Sequence, residues 1–219
     1  MAANKGRAKK QAGAQLIKAV LVLMAALAVF VLEKTGVLQT AAGDKPAAEK
    51  ADAEVDFIDV GQGDSTLVCS DGKYMLIDTG DRDGENTLIN HLKERGVKKL
   101  DYLVLTHPHA DHIGEAAEIV EGFKIGKIIM PRVPDDLTPT SSVYEDLLDA
   151  AEDKGLKIRA ARNESFELGE ISVQTYAAEG EYSNLNDYSV VLRLTHGENS
   201  FLITGDCEKQ EESELLERG

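Results

Sequence analysis

The chain has 219 residues, with 24 basic and 39 acidic side chains and a formal net charge of −15. Lys5, Arg7, Lys9, Lys10 and Lys18 open the chain without an acid among them, so the remainder sets 19 bases against 39 acids, a net of −20. A surface of that sign repels polyanions over a Debye length and releases no counterions from them, which disfavours passive nucleic-acid binding unless local cations override it.

Residues 1–15 form a basic segment. Ala19 to Leu32 is an uninterrupted apolar run of fourteen residues, extendable to Leu16 if Lys18 snorkels. Fourteen suits a signal-peptide core, whereas the seventeen of 16–32 reach only the short end of the ~17–25 residues a spanning helix needs. The small-x-small site Thr40-Ala41-Ala42 lies ten residues beyond the run, which favours an uncleaved anchor over a secreted product. Basic residues before the span keep the N-terminus cytoplasmic, so a single-pass protein of the cell membrane with everything after Leu32 outside is expected. Residues 33–54, mostly Ala, Lys, Glu and Asp, read as a flexible linker. Residues 55–219 then suffice for one domain with a real core.

In that domain "VDFIDV", "STLVCS" and "YMLID" are short β-branched and aromatic runs separated by the turn sequences "GQGD" and "DGK", a pattern that predicts a strand meander. "NTLINHLKERG" predicts a helix stopped at Gly96, with His91 on a solvated face, and "KKLDYLVLT" a strand buried on both sides. "IGEAAEIVEGF" predicts a helix, "KIGKIIM" a strand and "SSVYEDLLDAAEDKG" a helix. "ISVQTYA", "YSVVLRLT" and "SFLITGD" predict strands, and "CEKQEESELLERG" a last helix. Cys69 and Cys207 sit in apolar strand-like contexts and read as small buried hydrophobes; an outside location permits a disulfide without implying one.

Between a buried strand and a helix stands "THPHADHIGE", which holds three of the five histidines. Loops at the carboxyl ends of buried strands are where α/β folds carry chemistry. His107 and His109, two apart in an extended segment, point to one side and can grip one cation, while Asp111 and His112 past the bend can face a second. Imidazole with carboxylate suits zinc, manganese or iron, and Pro108 stiffens the loop. Capping the following helix would need only Asp111 and leaves three histidines unexplained.

"THPHADHIG", preceded by "DVGQGDS" and "LIDTG" and followed by "NDYSVVLRLTHGENSFLITGD", resembles the metallo-β-lactamase superfamily, and within it the hydrolase domain of ComEC-type DNA-uptake proteins. The resemblance implies a four-layer αββα sandwich with two divalent metal ions, Zn2+ or Mn2+, at one rim. It implies first-metal ligands at His107 and His109, second-metal ligands at Asp111 and His112, a bridging carboxylate at Asp206, and a buttressing acid at Asp78 that is not itself a ligand. It also places Gln62 and Asp64 near the mouth of the site and Asn186 or Asp187 along it. Two departures accompany these matches: where many family members supply a further histidine between the cluster and the bridging acid this chain offers "NLNDYS", and no "HHG" segment follows Asp206. A domain incomplete at its C-terminal end is therefore expected. His196 in "THGENS" reads as part of a hairpin turn pointing away from the rim.

These features predict a metal-dependent hydrolase working through metal-bound hydroxide, with Asp206 holding the bridge and Asp111 accepting a proton. The resemblance makes a phosphodiester or ester the expected substrate, DNA among them, although the acidity of the domain argues against a large DNA-binding face. The competing reading is a membrane-tethered metal-binding domain without turnover. No protein partner is deducible.

Overall fold

A computed structural model describes residues 52–82 and 87–218. The basic segment, the apolar run and the linker up to Ala51 lie outside the described residues, and among those described no helix is long and apolar enough to cross a membrane.

Six strands form the first sheet in chain order: β1 (Ala53–Phe57), β2 (Thr66–Ser70), β3 (Lys73–Ile77), β4 (Lys99–Val104), β5 (Lys124–Met130) and β6 (Ile158–Ala160). β1, β2 and β3 are the antiparallel meander read from the sequence, with turns at 57–66 and 70–73. β3, β4, β5 and β6 run parallel, and the crossovers carry helices α1 (Thr87–Glu94), α2 (Ala110–Ile113), α3 (Ala116–Gly122) and α4 (Ser142–Asp153). Parallel strands need such crossovers, and the helices they bring cover one face of the sheet. β1 begins two residues ahead of the expected domain boundary, because Ala53 and Glu54 pair with Ser70 and Cys69 and so belong to the sheet rather than the linker.

The second sheet is antiparallel, in the order β10 (Asn199–Ile203), β9 (Val191–His196), β8 (Ile171–Tyr176), β7 (Glu164–Leu168). A 3-10 turn, Asn186–Tyr188, leads into β9, and α5 (Lys209–Arg218) follows β10. β6 and β7 were not expected. The first is only "IRA" and the second, "ESFEL", spends two of its five residues on glutamate, so neither announces itself by propensity.

Two apolar cores result. Leu67, Leu76 and Leu103 of the first sheet, with Leu105 just past β4, meet Leu88 and Leu92 of α1, Ile119 and Val120 of α3 and Leu147 of α4. On the other face Val68, Met75, Ile77, Val104 and Ile129 meet Leu168, Val173, Leu192 and Leu194 of the second sheet. β4 thus sends alternate residues into both cores, which is why it reads as a nearly continuous apolar run. Each fully buried Leu, Ile or Val contributes roughly 1.5–3 kcal/mol, so β4 is where the sandwich is held. Among the described residues the fourth layer of the expected αββα arrangement is represented by α5 alone, beside the outer face of the second sheet, where Arg218 Nη1 donates to Ala177 O at 3.2 Å.

Candidate metal centre

Three segments of the first sheet interlock at the carboxyl ends of β3 and β4. The loop 61–64 docks on the histidine segment through Asp64 N–H to Asp111 O (3.3 Å), and on the segment after β3 through Gly80 N–H to Asp64 O (2.8 Å) and Asp81 N–H to Gln62 O (3.1 Å). Thr79 N–H donates to His112 O at 2.8 Å and closes the ring of contacts. The close approach requires glycine at 63: φ is +83°, and a Cβ there would stand 1.7 Å from the Asp111 carbonyl oxygen. Asp206 arrives from the second sheet on a turn whose Gly205 packs against the Thr106 side chain, and Val190 N–H donates to Thr106 O at 2.8 Å.

Asp78 organises the centre. It is buried and left-handed at φ 59°, a conformation that costs ~1–3 kcal/mol outside glycine and that its N–H to Val104 O bond (2.9 Å) helps to hold. Its carboxylate accepts from Thr106 N–H (2.7 Å), from the Thr106 hydroxyl (2.6 Å) and from His112 Nδ1 (2.9 Å). Because the Thr106 hydroxyl spends its proton on Asp78, its oxygen accepts from His107 Nδ1 at 3.2 Å. Both rings are therefore held with Nδ1 protonated and Nε2 turned to the site, a tautomer assignment that follows from the hydrogen bonds. His107 Nε2 faces His109 Nδ1 at 2.9 Å, so one proton or one cation fills the space between their lone pairs. Nε2 of His107 and of His112 lie 3.8 and 3.3 Å from Asp206 Oδ2 and Oδ1 respectively.

The two imidazoles differ in protonation. Burial, then the charges of His112 and His109, take His107 down to about 3, a neutral ligand. Burial opposes charge on His112 as well, but the Asp78 hydrogen bond, the Asp78 charge and then Asp206 and Asp111 outweigh it and raise His112 to about 9. Burial raises the Asp78 carboxyl above its ordinary value, against the pull of His112 and Thr106.

Among the described residues two sets bring three ligand atoms within 4.8 Å of one another: His107, His109 and Asp206, and Asp64, His112 and Asp206. Asp206 belongs to both. Asp111 belongs to neither; it receives the Asp64 N–H through its main-chain oxygen and stands in the short helix α2 with His112, not in the loop. Gln62 is exposed and contributes its carbonyl. Asn186 donates through Nδ2 to Glu208 Oε1 (2.9 Å), and Asp187 accepts through Oδ1 from Glu211 N–H (3.2 Å) and through Oδ2 from Asn184 Nδ2 (3.1 Å), so these two fasten the start of α5 instead of joining either set. His91 is half-buried and bonded through Nε2 to Asp56 Oδ2 at 2.8 Å, rather than solvated. His196 ends β9 beside Glu170, 3.6 Å away and outside both sets. Cys69 and Cys207 are free and only half-buried, and Cys207 precedes α5 rather than continuing a strand. Thr106, Gly205 and Ser65, whose hydroxyl donates to Asp78 O at 3.1 Å, were not expected at the site; only the threonine preceding the histidines signalled itself, by adjacency.

The fold and donor set define a β-sandwich with a candidate two-cation centre at one rim. The family model described as the metallo-beta-lactamase superfamily matches residues 58–218, and the chain belongs to that superfamily. Similar curated proteins include "ComE operon protein 3" of Bacillus subtilis, 32% identical over 190 residues covering 76% of this chain and 24% of that protein. "Recombination protein 2" of Haemophilus influenzae is 31% identical, covering 73% of this chain and 19% of its own length. The chain thus spans about a quarter or less of these relatives. Among solved structures, metallo-β-lactamase SMB-1 bound to 2-mercaptoethanesulfonate aligns with a TM-score of 0.50 at 13% identity, covering 77% of this chain and 72% of that one, a likeness of fold alone.

Proposed function

We propose that this domain is a metal-dependent hydrolase of phosphodiesters, held at the outer face of the cell membrane by its N-terminal apolar segment. The observation that carries the reading is Asp206, whose two oxygens each face Nε2 of a different buried histidine. The donor set fits divalent Zn2+ or Mn2+: imidazole nitrogens with fixed tautomers and an ionisable carboxylate between them are the ligands these ions take. Such ions, when bound, lower the pKa of water and polarise the scissile oxygen. The chain's own residues do the rest. His107 and His112 offer nitrogens that Thr106 and Asp78 keep pointed into the site, His109 faces His107 Nε2, Asp206 spans the two sets, and Asp111, beside His112 in the chain, is the residue assigned to take a proton.

The choice of phosphodiester draws on the names of the relatives, which are a competence-operon and a recombination protein. The net charge of −15 makes one scissile phosphate, not a long stretch of nucleic acid, the group that is bound. The test is hydrolysis of bis(p-nitrophenyl) phosphate, plasmid DNA and a β-lactam by protein loaded with Zn2+ or Mn2+, beside His109→Ala. Metal-dependent phosphodiester cleavage that falls at least 100-fold in His109→Ala supports the proposal. Metal bound without turnover of any of the three favours the tethered, non-catalytic domain, and unchanged turnover in His109→Ala defeats the metal centre.

A further inference from the structure

We infer that Asp64, delivered by the "GQGD" loop, is a ligand of the second cation, and that the two subsites therefore prefer different metals; the inference rests on the metal-dependent reading above. Asp64 is exposed and lies far from the histidine cluster in sequence, yet its carboxylate shares a 4.8 Å neighbourhood with His112 and Asp206. Its placement is built by main-chain bonds on both sides of the residue, from its own N–H to Asp111 O and from Gly80 N–H to its carbonyl. The glycine before it permits that contact, since any side chain at 63 would occupy the place of the Asp111 carbonyl.

The donor chemistry gives the second reason. Asp64 and Asp206 bring two carboxylates to one imidazole nitrogen, a mixed donor set of the kind a divalent cation takes. At ligand distances of ~2.0–2.2 Å from a common ion, donors sit within about 4 Å of one another, so the set needs only a small inward movement to close. The two sets also differ in kind. His107, His109 and Asp206 offer two nitrogens and one oxygen, whereas Asp64, His112 and Asp206 offer one nitrogen and two oxygens. Oxygen-rich donors suit Mn2+ and nitrogen-rich donors suit Zn2+, so the second subsite is the manganese-accepting one.

The experiment is metal content after equilibrium dialysis of the full chain in detergent against Zn2+, Mn2+ or both, measured by elemental analysis. The wild type is compared with Asp64→Asn, Asp64→Glu and His109→Ala, and thermal melts in chelator confirm that each is folded. We expect two ions in the wild type, one in Asp64→Asn with the loss falling on Mn2+, and one in His109→Ala with the loss falling on Zn2+. Asp64→Glu, which keeps the carboxylate, is expected to recover Mn2+ in part and covers the case in which Asp64→Asn does not fold. Two ions in a folded Asp64→Asn overturn this assignment and leave the proposed function standing. A wild type that binds no ion overturns both.

Discussion

The rim that follows β3 and β4 and the flank formed by β10 and α5 invert the usual distribution of residue types. At the rim Asp78, Thr106, His107 and His112 are almost entirely buried, while on the flank Leu202 is 62% and Leu216 83% exposed. Polar groups survive inside because each has a partner there; unpaired, each would cost several kcal/mol. The flank's apolar groups carry no such obligation, since an exposed leucine gains little from its surroundings. One region is therefore a network in which every member depends on another, and the other is a surface that tolerates change.

The sharpest way to break that contrast is Asp78→Ala. It leaves the Thr106 N–H, the Thr106 hydroxyl and His112 Nδ1 buried without their acceptor, and it places alanine at φ 59°. A loss of about 3–5 kcal/mol is expected by chemical denaturation, against less than about 0.5 kcal/mol for Leu216→Ser. Asp78→Asn falls between, because asparagine tolerates the left-handed backbone but turns a donor toward one of three donors. A cost under ~1 kcal/mol for Asp78→Ala would show that the network does not hold the rim together.

A smaller effect separates shape from conformation. Gly61 and Gly63 both have positive φ, +79° and +83°, but a Cβ at 61 meets open space while one at 63 strikes the Asp111 carbonyl. Gly61→Ala should cost ~1 kcal/mol from backbone strain alone, and Gly63→Ala ~2–3 kcal/mol as overpacking is added. Equal denaturation midpoints for the two variants would mean that the loop does not dock on the histidine segment.

What was legible beforehand follows the same division. The histidine cluster is local in sequence, so spacing alone reveals it, and the strands that carry it are betrayed by apolar runs that serve two cores. Asp78 and Asp206 are single acids in a chain with 39, and only their motifs singled them out. Asn186 and Asp187 carry plausible ligand chemistry but face the start of α5, because side-chain direction in a 3-10 turn is set by what packs on it and leaves no trace in composition. Asp64 is the converse: its turn is readable, but the docking that brings it beside His112 depends on a carbonyl forty-seven positions away. β6 and β7 owe their existence to neighbouring strands, not to their own residues.

A further effect, in pH dependence rather than in stability at one pH, lies where polar burial reaches the flank. Glu211 in α5 is fully buried. Burial, then the charges of Asp187 and Glu214, raise it to about 8 from an ordinary 4.5, against the opposing pull of the Cys207 thiol and Arg218. Its native pKa lies above its unfolded one, so the folded chain binds the proton more tightly. The stabilisation is complete below the unfolded value of 4.5 and is lost as pH rises toward the native value of about 8. The melting temperature of the wild type should therefore fall relative to Glu211→Gln between pH 5 and pH 8.5, by roughly 5 °C. Parallel profiles for the two proteins would place the Glu211 carboxylate in contact with water, and would make the start of α5 as tolerant as the rest of its flank.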